Sequence, residues 1–215
     1  SSLENTLQQI IKSTHIIVTL GTAWVYRKIE TNMVVANCHK VPQKKFSKEL
    51  LSVDEIQKSL VNTVQMIRSV NPNAHFIMTV SPVRHLKDGF VENQQSKAHL
   101  ITSVHNLLSF RTESRNISYF PSYEIMMDEL RDYRFYGADM VHPNQLAIDY
   151  IWEKFAEVWI SPNANAVMEK VDVVQKGLQH RPFNAESEQH QAFITSLEKK
   201  IAYLQQEYPF MKFST

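Results

Sequence analysis

"HIIVTL" (residues 15–20) and "HFIMTV" (residues 75–80) are the two stretches on which the fold turns. Each is a run of six residues, mostly β-branched or apolar. The first stops at Gly21 and the second at Ser81-Pro82, the bounds expected of short buried strands. A third run, "ISYFP" (117–121), has the same character. Helical patterns fill the intervals. Leu3, Leu7, Ile10 and Ile11 form a stripe that leads directly into the first strand. "SVDE" (52–55) is a capping box, in which the serine and glutamate each satisfy a backbone N–H of the first turn. It opens a helix with Ile56, Leu60, Val64 and Ile67 on one face, which stops at "NPN" (71–73). Residues 93–109 carry Leu100, Ile101, Val104, Leu107 and Leu108 at helical spacing. A short helix over 123–130 and an irregular stretch to residue 142 precede a helix over 144–160. Strands alternating with helices, each strand buried along its length, imply parallel strands joined by right-handed crossovers. The fold class is therefore α/β.

Two features qualify that frame. "WVYRKIETNMVVAN" (24–37) reads as a hairpin with Thr31-Asn32 near its turn, and the rest of 21–51 is mixed in character. Three strands also make a thin parallel sheet, since sheets commonly hold four to six. The opening helix feeds a strand as though it were already a crossover, so we expect one or two further strands upstream. From Ser161 onward only helices are expected, over 164–176 and 185–206. That divides the chain into an α/β domain, 1–160, and a helical C-terminal extension, 161–215. The single apolar side of the last helix fits packing on its own domain or a homo-oligomer contact equally well.

The bulk composition excludes several functions. A chain of 215 residues with 43% hydrophobic and 21% charged residues is an ordinary globular sequence. Its formal net charge is +1 and no block of like charge stands out, so neither nucleic acid nor an anionic membrane is the expected partner. No apolar run approaches the ~18 residues of a membrane span. Cys38 is the only cysteine, which suits a reducing compartment, and we expect a cytoplasmic location. Four glycines are too few for a turn-rich all-β fold.

In open α/β sheets, ligands bind beyond the carboxyl ends of the strands. Here those ends are "GTAW" (21–24), "SPVRH" (81–85) and the segment after "YFPSYE" (119–124), and "DMVHP" (139–143) lies on the same edge. Of nine histidines, only His39, His85 and His142 sit on loops at that edge, and only His142 has an acid placed to orient its ring. A carboxylate at Asp139 would fix the imidazole tautomer for general acid–base work. The same spacing also describes a loop that merely starts a helix, with Pro143 in the first turn. Ser81 and Ser122 lack the glycine-flanked strand–turn–helix elbow of a nucleophile. Cys38 and His39 are adjacent in an extended segment, so their side chains point apart. His39, His85, His142 and Asp139 have no metal-binding spacing, and no metal or other cofactor is expected. Arg84, His85 and Lys87 are either a solvated loop or a clamp for a carboxylate or anionic sugar.

The Asp-x-Val-His-Pro step before the last helix of an α/β fold resembles the closing motif of the SGNH/GDSL hydrolases, whose Asp and His complete a triad with an N-terminal serine. The stretches "LGTAWVY", "NCHKVP", "TVSPVRHLKDGFVENQQSKAHL" and "YFPSYEIMMDELRDYRFYGADMVHPN" resemble the GSCFA-domain family, an SGNH-like group, and the likeness extends to the "HRPFN" tail. The resemblance implies a three-layer α/β sandwich with a parallel sheet, N-terminally incomplete here, plus the helical extension. It implies a serine-type ester hydrolase or acyltransferase, acting on a small-molecule or carbohydrate ester. His142 would be general base then acid, and Asp139 its orienter. Gly21, Thr22, Trp24, Asn37, His39, Ser81, Arg84 and His85 would form the oxyanion and substrate-binding region. Two departures stand out. The family's Gly-Ser-Cys-Phe-Ala stretch is absent, so the nucleophilic serine is expected upstream and this chain alone is expected to be inactive. The superfamily's G-x-N element is replaced by Gly21, Thr22 and Ala23, so its oxyanion asparagine is missing. Losing one such donor typically costs ~2.7–4 kcal/mol. Trp24 N–H, Asn37 or another backbone N–H would have to serve. The rival reading is a non-catalytic ligand-binding or scaffolding module.

Overall fold

The computed structural model describes residues 2–36, 38, 40–109, 115–184 and 186–213. Asn37 and His39, both expected at the site, lie outside the described residues. In chain order the elements are α1 (Ser2–Lys12), β1 (His15–Leu20), β2 (Trp24–Lys28), β3 (Met33–Val35), β4 (Phe46–Leu50), α2 (Val53–Arg68), β5 (His75–Val80), α3 (Phe90–Ser109), β6 (Ile117–Phe120), α4 (Ser122–Glu124), α5 (Gln145–Trp159), α6 (Pro162–Gln179) and α7 (Glu188–Glu207). The chain divides into two compact units, Ser1–Trp152 and Glu153–Thr215.

β1, β5 and β6 form a parallel sheet in the order β1-β5-β6. Ile16 pairs with Phe76 and Phe76 with Ile117, while Val18 pairs with Met78 and Met78 with Tyr119. These residues share one face because side chains alternate along a strand. That face joins a core with Ile56, Leu60 and Val64 of α2 and Leu100, Val104 and Leu107 of α3. Ile77 and Thr79, on the other face of β5, are buried as well. Burial on both faces is why β5 reads as a continuous apolar run. β1 is covered on one face only, and its Ile17 is 54% exposed. The capping box at Ser52 and Glu55 is formed as its spacing predicts. Buried Asn71 donates through Nδ2 to the carbonyls of Ile10 and Ser13, closing the end of α1 where the chain turns into β1.

The segment of mixed character between β1 and α2 is a second sheet, antiparallel, in the order β3-β2-β4. Its β2–β3 turn passes through Asn32 at φ 54°, the left-handed region that asparagine tolerates. β4 was not expected. "FSKEL" pairs with β2 alone and carries Lys48 and Glu49, so it lacks the apolar signature of a buried strand. The expected helix over 123–130 is instead the single turn α4 followed by a π turn, Ile125–Glu129.

The second unit is helical. Val174 of α6 packs with Leu197 and Leu204 of α7. Gly177 permits the close approach, since a Cβ there would come within 2.6 Å of Leu197 Cδ1. Among the described residues no helix is long and apolar enough to cross a membrane.

Candidate active site

The loop between α4 and α5 is tied at both ends. Tyr136 bridges to Pro143, Gly137 N–H donates to the His142 carbonyl at 2.8 Å, and Asn144 N–H donates to Phe135 at 2.9 Å. Asn144 then caps α5: its Oδ1 accepts from Ala147 N–H, and its Nδ2 donates to the carbonyls of Arg134 and Tyr136. Pro143 thus precedes the cap rather than entering the first helical turn, because Asn144 is much the better cap.

Inside this frame Asp139 Oδ1 accepts from the N–H groups of Val141 at 2.9 Å and His142 at 3.0 Å. Asp139 Oδ2 lies 2.6 Å from His142 Nδ1. The two backbone donors, and then the imidazole, hold the Asp139 carboxyl down to about 2. It is an anion at neutral pH and can only accept, so Nδ1 carries the proton and Nε2 of the neutral ring is left as a base. The imidazole is not buried among aliphatic neighbours; its side chain is 63% exposed.

His142 opens on a cavity of about 590 Å³. Thr22, Trp24 and Tyr26 line one side of it, Lys48 of β4 another, and the loop Val83–Asp88 a third. Trp24 and Tyr26 lie two apart on β2 and share a face, and Lys48 Nζ sits 5.6 Å and 5.7 Å from their ring centroids. Asp88 pairs with Lys48. Arg84 connects the 81–85 loop to the histidine loop. Its N–H donates to the Val141 carbonyl, its Nη1 to the Met140 carbonyl, and its guanidinium lies 4.2 Å from the Tyr136 ring centroid. His85 donates through its backbone N–H to Asn93 Oδ1, and its Nε2 lies 3.4 Å from where a Cβ on Gly21 would be. Burial, and then the charge of Lys97, push the His85 imidazole below its ordinary value, so it is neutral at pH 7.

Beneath the cavity lies a polar face of α3 formed by Asn93, Ser96 and Lys97, all buried. Lys97 Nζ donates to the carbonyls of Gly21 at 2.8 Å and Ser81 at 2.7 Å, tying together the ends of β1 and β5. No carboxylate among the described residues pairs with Lys97, and burial lowers its pKa to about 8. Ser96 Oγ accepts from Ala23 N–H at 2.7 Å and lies 3.0 Å from Thr22 Oγ1. Trp24 N–H donates to Thr22 Oγ1 at 3.1 Å, so it is already engaged.

The structure therefore gathers Thr22, Trp24, Arg84, His85 and His142 around one cavity, with Asp139 behind the histidine and Gly21 against His85. Ser81 stands at the strand end, where its Oγ accepts from Val83 N–H. Ser122 is buried, donating to the Val80 carbonyl and paired with Thr79. Sequence reasoning missed Tyr26, Lys48, Asn93, Ser96 and Lys97. A signal for the last three existed: 93, 96 and 97 continue the buried stripe of 100, 104 and 107 at helical spacing, with polar residues where apolar ones belong. Among the described residues no group of three or more His, Cys, Asp or Glu side chains could hold a metal ion.

Fold and site together define an α/β protein with an acid-held histidine at the carboxyl edge of a parallel sheet. The chain belongs to the GSCFA family, whose family model matches residues 1–155; a second model, the C-terminal domain of GSCFA domain proteins, matches residues 171–215. No curated protein matches it.

Proposed function

We propose that the chain supplies the acid–histidine half of a serine-type ester hydrolase or acyltransferase of SGNH type, acting on an O-acylated carbohydrate. The observation that carries this reading is the 2.6 Å contact of Asp139 Oδ2 with His142 Nδ1, on a loop open to a cavity. In the proposed reaction His142 Nε2 takes the proton of a serine hydroxyl as that oxygen attacks the ester carbonyl. It returns the proton to the departing alkoxide, and a second acceptor, water or a sugar hydroxyl, repeats the cycle in reverse. As the family resemblance implies, the proposed nucleophile is the serine of the Gly-Ser-Cys-Phe-Ala stretch, which these 215 residues do not carry; Ser122 is buried and donates to the Val80 carbonyl. The matching proposal for the fold is the three-layer SGNH sandwich over residues 1–160, continued by a further strand beside the half-covered β1. Trp24 and Tyr26 support a sugar as substrate: both line the cavity from one face of β2, with Lys48 over their rings and Arg84 also in the lining, a mix of aromatic surface and cationic donors that suits a polar ring with apolar patches.

The test uses the full-length protein with short acyl esters and a fluorophosphonate probe. One serine outside this chain should be labelled, and His142→Ala should abolish turnover. Full activity in His142→Ala would end the proposal. A second reading, a ligand-binding module without turnover, is favoured by Ala23, buried where the superfamily carries its oxyanion asparagine. It predicts saturable binding of an acylated sugar with no probe labelling.

A further inference from the structure

Around Thr22 the hydrogen bonds can be assigned proton by proton. Ser96 is 1% exposed, and its Oγ accepts from Ala23 N–H at 2.7 Å. Its own proton must also go to an acceptor, because a buried hydroxyl that donates to nothing is unfavourable. The acceptor within reach is Thr22 Oγ1 at 3.0 Å, so Ser96 donates to Thr22. Thr22 Oγ1 also accepts from Trp24 N–H at 3.1 Å. A hydroxyl oxygen has two acceptor sites, and both are now filled. Thr22's proton therefore cannot turn back toward Ser96 or Trp24 and is directed away from both. Thr22 lines the same cavity as His142.

We propose that the Thr22 hydroxyl is the oxyanion donor of this site, taking the place of the asparagine that the G-x-N position lacks. The proposal rests on the hydrolase reading above. When the serine oxygen bonds to the ester carbon, the C=O π pair moves onto the carbonyl oxygen, and that oxygen receives the Thr22 O–H. The pair returns as C=O re-forms and the alkoxide leaves with the proton from His142. The donors Ala23 N–H, Ser96 O–H and Thr22 O–H run in series, and each polarises the next, which makes the terminal hydroxyl a stronger donor than an isolated one. The hydroxyl is also fixed before substrate arrives, as an oxyanion donor must be.

The experiment compares Thr22→Val, Thr22→Ser and His142→Ala in the full-length protein, with p-nitrophenyl acetate as substrate and a trifluoromethyl ketone as tetrahedral analogue. Thr22→Val should lower kcat about 10²–10³-fold, leave KM within about threefold, and weaken the ketone by the same factor as kcat. Thr22→Ser should restore most of the lost rate. Wild-type kcat in folded Thr22→Val, or a kcat loss with unchanged ketone affinity, overturns the proposal, as does equal impairment of the valine and serine variants. If Thr22→Val does not fold, Thr22→Cys replaces it. Its thiol is a weak donor, so its kcat should fall at least about tenfold below that of Thr22→Ser, and equal rates overturn the proposal. Activity in His142→Ala removes the parent reading; an inactive His142→Ala beside a fully active Thr22→Val removes this inference alone.

Discussion

Lys97→Met replaces the cation that ties the two sheet ends and keeps most of its volume. In the wild type that ammonium is 1% exposed, donates to the Gly21 and Ser81 carbonyls, and titrates at about 8 instead of 10.5. Burial disfavours the charged form, so the folded protein gives up this proton before the unfolded chain does. Between pH 8 and 10.5 the unfolded chain binds more protons, and stability from this group rises with pH across that window. At ~1.4 kcal/mol per tenfold step the rise is at most roughly 3 kcal/mol. At pH 7 the methionine variant is relieved of a buried charge but loses two charge-assisted hydrogen bonds, each worth about 1.5–3 kcal/mol. We therefore expect Lys97→Met to be less stable by roughly 1–3 kcal/mol at pH 7. The gap should widen toward pH 10.5 as the wild type gains. Urea unfolding of both proteins at intervals from pH 7 to 10.5 measures the difference directly, and tyrosines and other lysines cancel because both chains share them. A flat difference curve would refute the burial argument, and a variant more stable at every pH would refute the role of the two carbonyls.

Asp139→Asn should keep the loop, because the amide oxygen can still accept from the Val141 and His142 N–H groups. Its NH2 would face Nδ1 and force the other imidazole tautomer, lowering kcat by about 10²–10⁴-fold, less than His142→Ala, with little change in thermal midpoint. The ionised Asp139 contributes fully above its ordinary value of 3.8, and the contribution is lost as pH falls through about 2, so the wild-type loop should persist in amide-exchange measurements at pH 4. Trp24→Ala should raise KM for an acylated sugar about tenfold, a loss of ~1.4 kcal/mol, and should change KM for p-nitrophenyl acetate far less. Equal effects on both substrates would remove the sugar-stacking role.

What the sequence revealed follows from where each element is buried. β5 is sealed on both faces and β1 and β6 pair with it in register, so their runs are apolar and conspicuous. β4 is an edge strand of a small sheet, and Lys48 faces the cavity instead of a core, so no periodicity marks it. The Asp139–His142 pair was legible because both partners lie in one short loop. Ser96 and Lys97 reach across about 70 residues of chain to the backbone of Ala23 and Gly21, while Lys97 also binds the Ser81 carbonyl and Asn93 the His85 N–H, and spacing cannot reveal a partner that is a carbonyl or an N–H.

The spacing of Asp139 and His142 does not by itself make a working pair. Met140 takes φ 58°, a left-handed conformation uncommon for a residue with a side chain, and this curls the loop so that both following N–H groups point at one carboxylate oxygen. Oδ1 is thereby occupied by the backbone, and Oδ2 is left for the imidazole. The carboxylate is thus aimed by the main chain before the ring meets it, and the ring adopts the orientation the carboxylate sets. Arg84 carries the same logic outward: it binds the carbonyls of Met140 and Val141 and stacks on Tyr136. The histidine's position is consequently tied to the loop after β5, and through Lys97 to the end of β1 beside Thr22. His142 and Thr22, about 120 residues apart in the sequence, are thereby linked through Arg84 and Lys97, whose partners in this frame are backbone carbonyls.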